Sequence, residues 1–263
     1  MKCIFCKKES TSSKSVEHII PESLWNTKNI LPVGVVCDKC NNYFSRKVER
    51  PFISTPGMDL FRFHQVIPNK KGRLPSITGA VSGSNSPVKI NKYFNENNMI
   101  ISVELSDEQL DILEKGGESE LFIPVDVDRP AVRETSRFIA KVALEALAQR
   151  LMEKEGGIDY IISETQFDPI RNHARYGQPK EWPYFSRRIY DMSIEEEVHD
   201  SRGQLMHEFD FLCTEEGEIY FVMALYGVEM TINIGGPDIE GYVSWLDNNN
   251  NASPLYWGKN EER

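Results

Sequence analysis

Runs of apolar and polar residues along this chain change period several times, and the elements they predict are concentrated in its second part. Met99 to Leu105 reads as a strand, and Ser106-Asp107-Glu108-Gln109 then offers a helix N-cap opening a short helix to Lys115. Leu121 to Val127 is another short strand. The strongest helical pattern runs from about Pro130 to Glu155: Val132, Ile139, Val142, Ala146, Leu147 and Leu151 keep one face, Asp128 is the N-cap, and Gly156-Gly157 the stop. Glu208 to Cys213 and Glu218 to Ile234 are strand-rich, with turns at Glu216-Gly217 and Gly235-Gly236-Pro237.

The first fifty residues are different, poor in long periodic elements and dense in Cys, Asn and Lys. Residues from Pro51 to about Arg73 read as a connector packed on both sides, and Gly79 to Pro87 as a loop. A boundary is therefore expected near residue 75, dividing the chain into 1–75 and 76–263. The implied class is α+β, a small N-terminal module followed by a larger mixed domain.

Composition narrows the function classes. With 263 residues, 40% of them hydrophobic, the chain can bury a core without disulfides. The longest apolar run, Ile219 to Val228, is about half a membrane span. No apolar signal region follows Met1, so a cytoplasmic location is expected. Five cysteines, an odd number, point to thiol or metal chemistry. The net charge of −10 is unevenly spread. Residues 1–75 carry 13 Lys+Arg against 6 Asp+Glu, a net of +7, and the remainder carries −17. Such asymmetry is a sign of a nucleic-acid-facing module attached to something else.

Two Cys-x2-Cys pairs, Cys3/Cys6 and Cys37/Cys40, stand thirty residues apart. Each presents two sulfurs to one ion, as a structural, tetrahedral Zn²⁺ site requires. Four thiolates leave that ion no open position, so any catalysis belongs to what lies between the pairs. Glu17-His18-Ile19-Ile20-Pro21 sets a carboxylate beside an imidazole. Neighbours on a strand face opposite ways, so the two can approach one site only near a strand end or bend, which Pro21 helps to supply. Asn41 and Asn42 open an expected helix from Asn41 to Arg50, stopped by Pro51.

Cys3-x2-Cys6, Glu17-His18-Ile19-Ile20-Pro21 and Cys37-Asp38-Lys39-Cys40-Asn41 together resemble the HNH endonucleases, the ββα-metal nucleases, over residues 1–51. That resemblance implies a zinc-stapled ββα-metal module that hydrolyses phosphodiester bonds in DNA, with RNA as the other substrate. His18 matches the general base, and an imidazole suits that task because it titrates near neutral pH. Glu17 matches the acidic metal ligand and Asn41 the second protein ligand, with Asn42 the alternative one position on. Together they would hold one hard cation, Mg²⁺ or Mn²⁺. The family's middle asparagine, five residues before the third cysteine, is Pro32 here; Asn26 and Asn29 lie nearby, out of register.

Arg46, Lys47 and Arg50 on the expected helix are candidates for phosphate contacts, with Arg46 and Arg50 on one face, and Glu49 is expected to pair with Arg46 rather than serve as a further metal ligand. Arg171-Asn172-His173-Ala174-Arg175 reads as a local salt-bridge network rather than a nucleic-acid surface. His64, His173, His199 and His207 have no ligand spacing, Cys213 is expected as a small buried hydrophobe, and Tyr226, Tyr242 and Tyr256 as core or interface. Residues 76–263 would supply targeting, a homodimer contact, or control by a regulatory partner or effector. The competing reading is a non-catalytic zinc module that binds nucleic acid or protein.

Overall fold

The structure is a computed structural model that describes all residues except 25, 27, 70, 85, 96–97, 117–118, 125–131, 191–195, 199–200, 204–206 and 256–263. Asp128, the end of the strand expected to reach Val127, His199 and Tyr256 lie outside the described residues. In chain order the elements are β1 (Glu17–His18), β2 (Ile30–Leu31), α1 (Asp38–Phe44), α2 (Arg50–Ile53), α3 (Pro56–His64), β3 (Ile77–Val81), β4 (Pro87–Asn95), β5 (Asn98–Glu104), α4 (Asp107–Gly116) and β6 (Leu121–Phe122). They continue with α5 (Val132–Leu151), α6 (Gly157–Ser163), α7 (Asp168–Tyr176), β7 (Phe185–Arg188), β8 (Glu196–Val198), β9 (Ser201–Gly203), β10 (His207–Cys213), β11 (Ile219–Leu225), β12 (Val228–Asn233) and α8 (Glu240–Asn248). The class is mixed α+β, and among the described residues no helix is long and apolar enough to cross a membrane.

Two compact units emerge, residues 1–49 with 133–263, and residues 50–132. This spatial grouping divides the chain differently from a single cut near residue 75. The reason is that α5 and α7, distant in sequence, pack against the first 49 residues.

In the first unit the antiparallel sheet runs β10-β11-β12-β7. Its central strand β11 is apolar on both faces, whereas β12 alternates Val228, Met230 and Ile232 with Glu229, Thr231 and Asn233; Tyr220, Val222, Ala224, Tyr242, Leu246 and Leu255 form one core cluster. The Glu218 to Ile234 stretch is two strands, because Tyr226 and Gly227 both adopt positive φ, 54° and 80°. That is the backbone of a tight two-residue hairpin turn. A Cβ at Gly227 would stand 2.3 Å from the Tyr190 carbonyl oxygen, so the position needs glycine. α5 is buried around its whole circumference from Phe138 to Ala146, not along one face, and this places Lys141 and Glu145 inside the protein. Cys213, expected to be buried, is exposed: it ends β10, the edge strand of the sheet.

The second unit holds the sheet β5-β4-β3-β6 with α3 and α4. Leu60 and Phe63 of α3 join Ile77, Val81, Val88 and Ile90 in its core. The connector reading missed α3 because Pro56-Gly57 looks like a break, whereas proline fits the first turn of a helix. The expected loop from Gly79 to Pro87 also shortens, since Gly79 lies within β3 and Pro87 begins β4. Glycine is required there by close packing; a Cβ would sit 2.6 Å from the Phe122 carbonyl oxygen.

Candidate active site

Two chain reversals build the cysteine cluster. The first closes where the Lys7 amide donates to the Cys3 carbonyl at 2.9 Å, and in the second Cys37 caps α1 while Cys40 lies inside it. The Ile4 amide donates to the Val35 carbonyl at 3.0 Å and joins the two. All four Sγ atoms of Cys3, Cys6, Cys37 and Cys40 lie within 4.8 Å of one another, with Cys6 and Cys37 at 3.7 Å. Zn–S bonds of about 2.3 Å imply tetrahedral edges of about 3.8 Å, so the donor set fits a structural zinc ion. A hydrogen bond from Cys40, and then backbone amides of Cys6, Cys37 and Phe5, pull the Cys3 thiol down to about 5. The thiolate, the form that binds metal, is thus already favoured there.

β1 and β2 pair antiparallel, Glu17 opposite Leu31 and His18 opposite Ile30. As alternation on a strand requires, the neighbours differ: Glu17 is buried, whereas His18 is part-exposed with its Nδ1 enclosed and without a hydrogen-bond partner. The Asn41 amide nitrogen donates to the Val16 carbonyl at 2.8 Å, so α1 is tied to the residue just before Glu17. Asp38 at the start of the same helix accepts from the Lys14 and Ser15 amides, at 3.1 and 3.0 Å. Asn42 is exposed, and its carbonyl accepts from the Ser45 amide and from Arg46 Nε, the latter at 3.4 Å.

The helix does not stop at Pro51. Ser45–Glu49 winds as a π-helix between α1 and α2, and Pro51 lies within α2. A proline lacks the amide for a regular turn, and wider winding is one way to accommodate that. Arg46, Lys47 and Arg50 are all exposed.

Glu49 pairs not with Arg46 but with Lys141, at 2.8 Å. The same ammonium lies 2.8 Å from Glu17 Oε1 and 2.9 Å from Glu145 Oε2. It also donates to the carbonyls of His18 and Ile19, at 2.9 and 3.2 Å. Burial opposes the charge on Lys141, but the carboxylates of Glu145, Glu17 and Glu49 outweigh it and hold the ammonium charged. Burial likewise drives the Glu17 and Glu145 carboxyls up against the pull of Lys141.

Asn26, one of the two asparagines near the sequence place of the family's middle asparagine, lies in the loop between β1 and β2. Fully buried, its amide donates to the Ile20 and Asn29 carbonyls at 2.7 and 2.8 Å, and its oxygen accepts from the Asn29 and Lys28 amides at 2.9 and 3.2 Å. It pins the loop between β1 and β2, a task out of reach of Pro32.

The basic cluster on α7 faces inward. Arg171 donates to the Ile4 and Ile161 carbonyls, each at 2.6 Å, and pairs with Asp168. Asp168 also meets Lys7 at 2.5 Å. Arg175 lies 3.5 Å from the Tyr43 ring centroid, and its guanidinium opposes the upward push that Cys3 and burial exert on the Cys40 thiol. The network expected for this cluster is therefore present, and it grips the zinc module itself. His173 is buried and bonded to Ser136 at 2.9 Å and Pro179 at 2.8 Å, while His64 contacts the Pro124 carbonyl at 2.8 Å.

The HNH endonuclease family model matches residues 3–56, the stretch that contains both cysteine pairs and the Glu17-His18 strand. Residues 3–56 are an HNH endonuclease domain. No curated protein and no solved structure matches the chain. What reading of the sequence missed is the contribution to this HNH domain from beyond it. A signal was present: Lys141 and Glu145 stand four residues apart among Ala140, Val142, Ala143, Leu144 and Ala146, where an exposed pair would be out of place.

Proposed function

We propose that the HNH domain makes this protein a metal-dependent endonuclease that hydrolyses phosphodiester bonds in DNA, with His18 as general base and Glu17 and Asn41 as protein ligands of one Mg²⁺ or Mn²⁺ ion. The observation that carries this reading is the bond from Asn41 to the Val16 carbonyl, which draws the start of α1 to the strand bearing Glu17 and His18. The donors suit a hard cation. Glu17 Oε2 is enclosed without a hydrogen-bond partner, and Asn41 spends its amide nitrogen on Val16 while its oxygen remains a donor. When bound, the cation would offset charge developing on the phosphoryl oxygens and the leaving 3′ oxygen.

His18 would take the proton of the attacking water through Nε2, since Nδ1 is enclosed. Asn26 holds the loop that follows His18, and so limits the freedom of the backbone carrying it. Arg46, Lys47 and Arg50, exposed on the helical run after Asn41, would contact phosphates and position the substrate without reading sequence.

One observation favours the alternative, a non-catalytic zinc module: Glu17 Oε1 is already engaged by Lys141. Plasmid nicking with added Mg²⁺ or Mn²⁺ separates the readings, with a single-stranded RNA substrate run in parallel. Wild type should cut and His18→Ala should lose about 10²–10⁴-fold in rate, the usual contribution of a general base. If folded, zinc-loaded wild type shows no metal-dependent cutting that His18→Ala abolishes, the nuclease reading fails.

A further inference from the structure

We infer that Lys141, contributed by α5 from outside the HNH match, is a positioning residue that sets the Glu17 carboxylate and the backbone around His18 for the proposed cation site. The inference rests on the nuclease reading above and deepens it.

Five oxygens surround the Lys141 ammonium, yet an ammonium has only three N–H groups. They belong to Glu17, Glu49 and Glu145 at 2.8, 2.8 and 2.9 Å, and to the His18 and Ile19 carbonyls at 2.9 and 3.2 Å. Three of the five thus belong to consecutive residues, the acid, the base and the residue after it. Glu49 ties in the far end of the helical run that begins with the Asn41 helix. One cation therefore registers β1 and that run against α5. A compact charge can meet oxygens from so many directions, which the planar fork of arginine cannot.

Stability alone is a poor reason for such an arrangement. A buried ion pair can often be replaced by apolar residues at no cost in stability, because desolvation offsets the attraction. The geometry is also selective. Lys141 takes Glu17 Oε1 and leaves Oε2 without a hydrogen-bond partner. That fixes the carboxylate orientation while keeping one oxygen for a cation, and it accounts for the ion pair that otherwise counts against Glu17 as a ligand.

The test is Mn²⁺ binding by electron paramagnetic resonance, together with plasmid nicking, on Lys141→Met/Glu145→Gln. This double change removes one charge of each sign and so keeps the net charge of the cluster. A second variant, Lys141→Leu/Glu145→Leu, replaces the pair by apolar residues. Zinc content and urea midpoint are measured on both. With zinc retained and the midpoint unchanged, Mn²⁺ affinity should fall at least ~10-fold and nicking about 100-fold in at least one variant, whereas His18→Ala should keep Mn²⁺ binding. Unchanged binding, or tighter binding that would make Lys141 a competitor of the metal, overturns the inference. So does loss of zinc or of the fold in both variants, which would make Lys141 a folding residue only. If wild type binds Mn²⁺ but cuts neither DNA nor RNA, the nuclease reading fails, and the binding data still decide the role of Lys141.

Discussion

Replacing Asn26 by Asp exchanges an NH2 group for an oxygen and hardly changes volume, which makes it a sharp probe of the loop that follows His18. In the native protein that NH2 serves the Ile20 and Asn29 carbonyls at 2.7 and 2.8 Å, from a side chain with no solvent exposure. In the variant two carbonyl oxygens would face a carboxylate oxygen. Two net hydrogen bonds are lost at about 1 kcal/mol each, and the enclosed Ile20 carbonyl left unpaired adds about 1–3 kcal/mol. The expected destabilisation is therefore about 3–5 kcal/mol at pH 8. The amides of Lys28 and Asn29 keep their acceptor, so nothing is recovered elsewhere. Asn26→Ala loses all four bonds and leaves the same carbonyl unpaired, so on the same rates it should cost more, about 5–7 kcal/mol. Urea denaturation followed by intrinsic fluorescence at fixed zinc, analysed by linear extrapolation, reads both. An Asp variant within about 0.5 kcal/mol of wild type at pH 8 would refute the assignment of Asn26 as the loop staple.

Three further outcomes are expected. Metal analysis of the folded protein should give one zinc per chain. Cys37→Ser should weaken retention and open residues 1–49 to proteolysis, because zinc binding contributes on the order of 10 kcal/mol to folding such modules; a folded, zinc-free wild type would contradict this. Arg171→Met leaves the Ile4 and Ile161 carbonyls without their donor, at about 1–3 kcal/mol each. It should also speed zinc release to a chromogenic chelator, because Ile4 lies inside the Cys3–Cys6 turn; an unchanged release rate would separate α7 from the zinc site. Burial, with Arg137 and Arg133 nearby, holds the His173 imidazole below its ordinary range. A depressed histidine adds stability above its unfolded value of about 6.5 that is lost as pH falls through the folded value. The urea midpoint should therefore decline from pH 7 to 5, and His173→Gln should flatten that decline. Equal slopes in the two proteins would exclude His173 as the cause.

Local rules explain why much of the site was legible. Cysteine pairs two residues apart fold back on themselves whatever surrounds them, and zinc accepts only a narrow donor geometry, so Cys3, Cys6, Cys37 and Cys40 could be assigned from spacing. Strand alternation likewise foretold that Glu17 and His18 would differ in burial. Spacing failed to single out Asn26, whose hold on the loop comes from its burial among backbone groups. It failed too where proline was read as a stop, at Pro51 and Pro56, since helix starts and widened turns both tolerate it.

What the sequence determined by itself, then, is the metal-binding frame and the HNH stretch it brackets, because both depend on residues close along the chain. The tertiary structure alone decided what encloses them. Lys141, Glu145, Arg171 and Arg175 lie far along the chain from the cysteines, and only α5 and α7 bring them, buried, to β1 and the cysteine turns. Burial makes such charges need partners, and Lys141 and Arg171 find them in the backbone and side chains of the HNH domain. The division of charge between the two parts of the sequence is therefore not a division of structure: cations from the acidic part hold the module that carries His18.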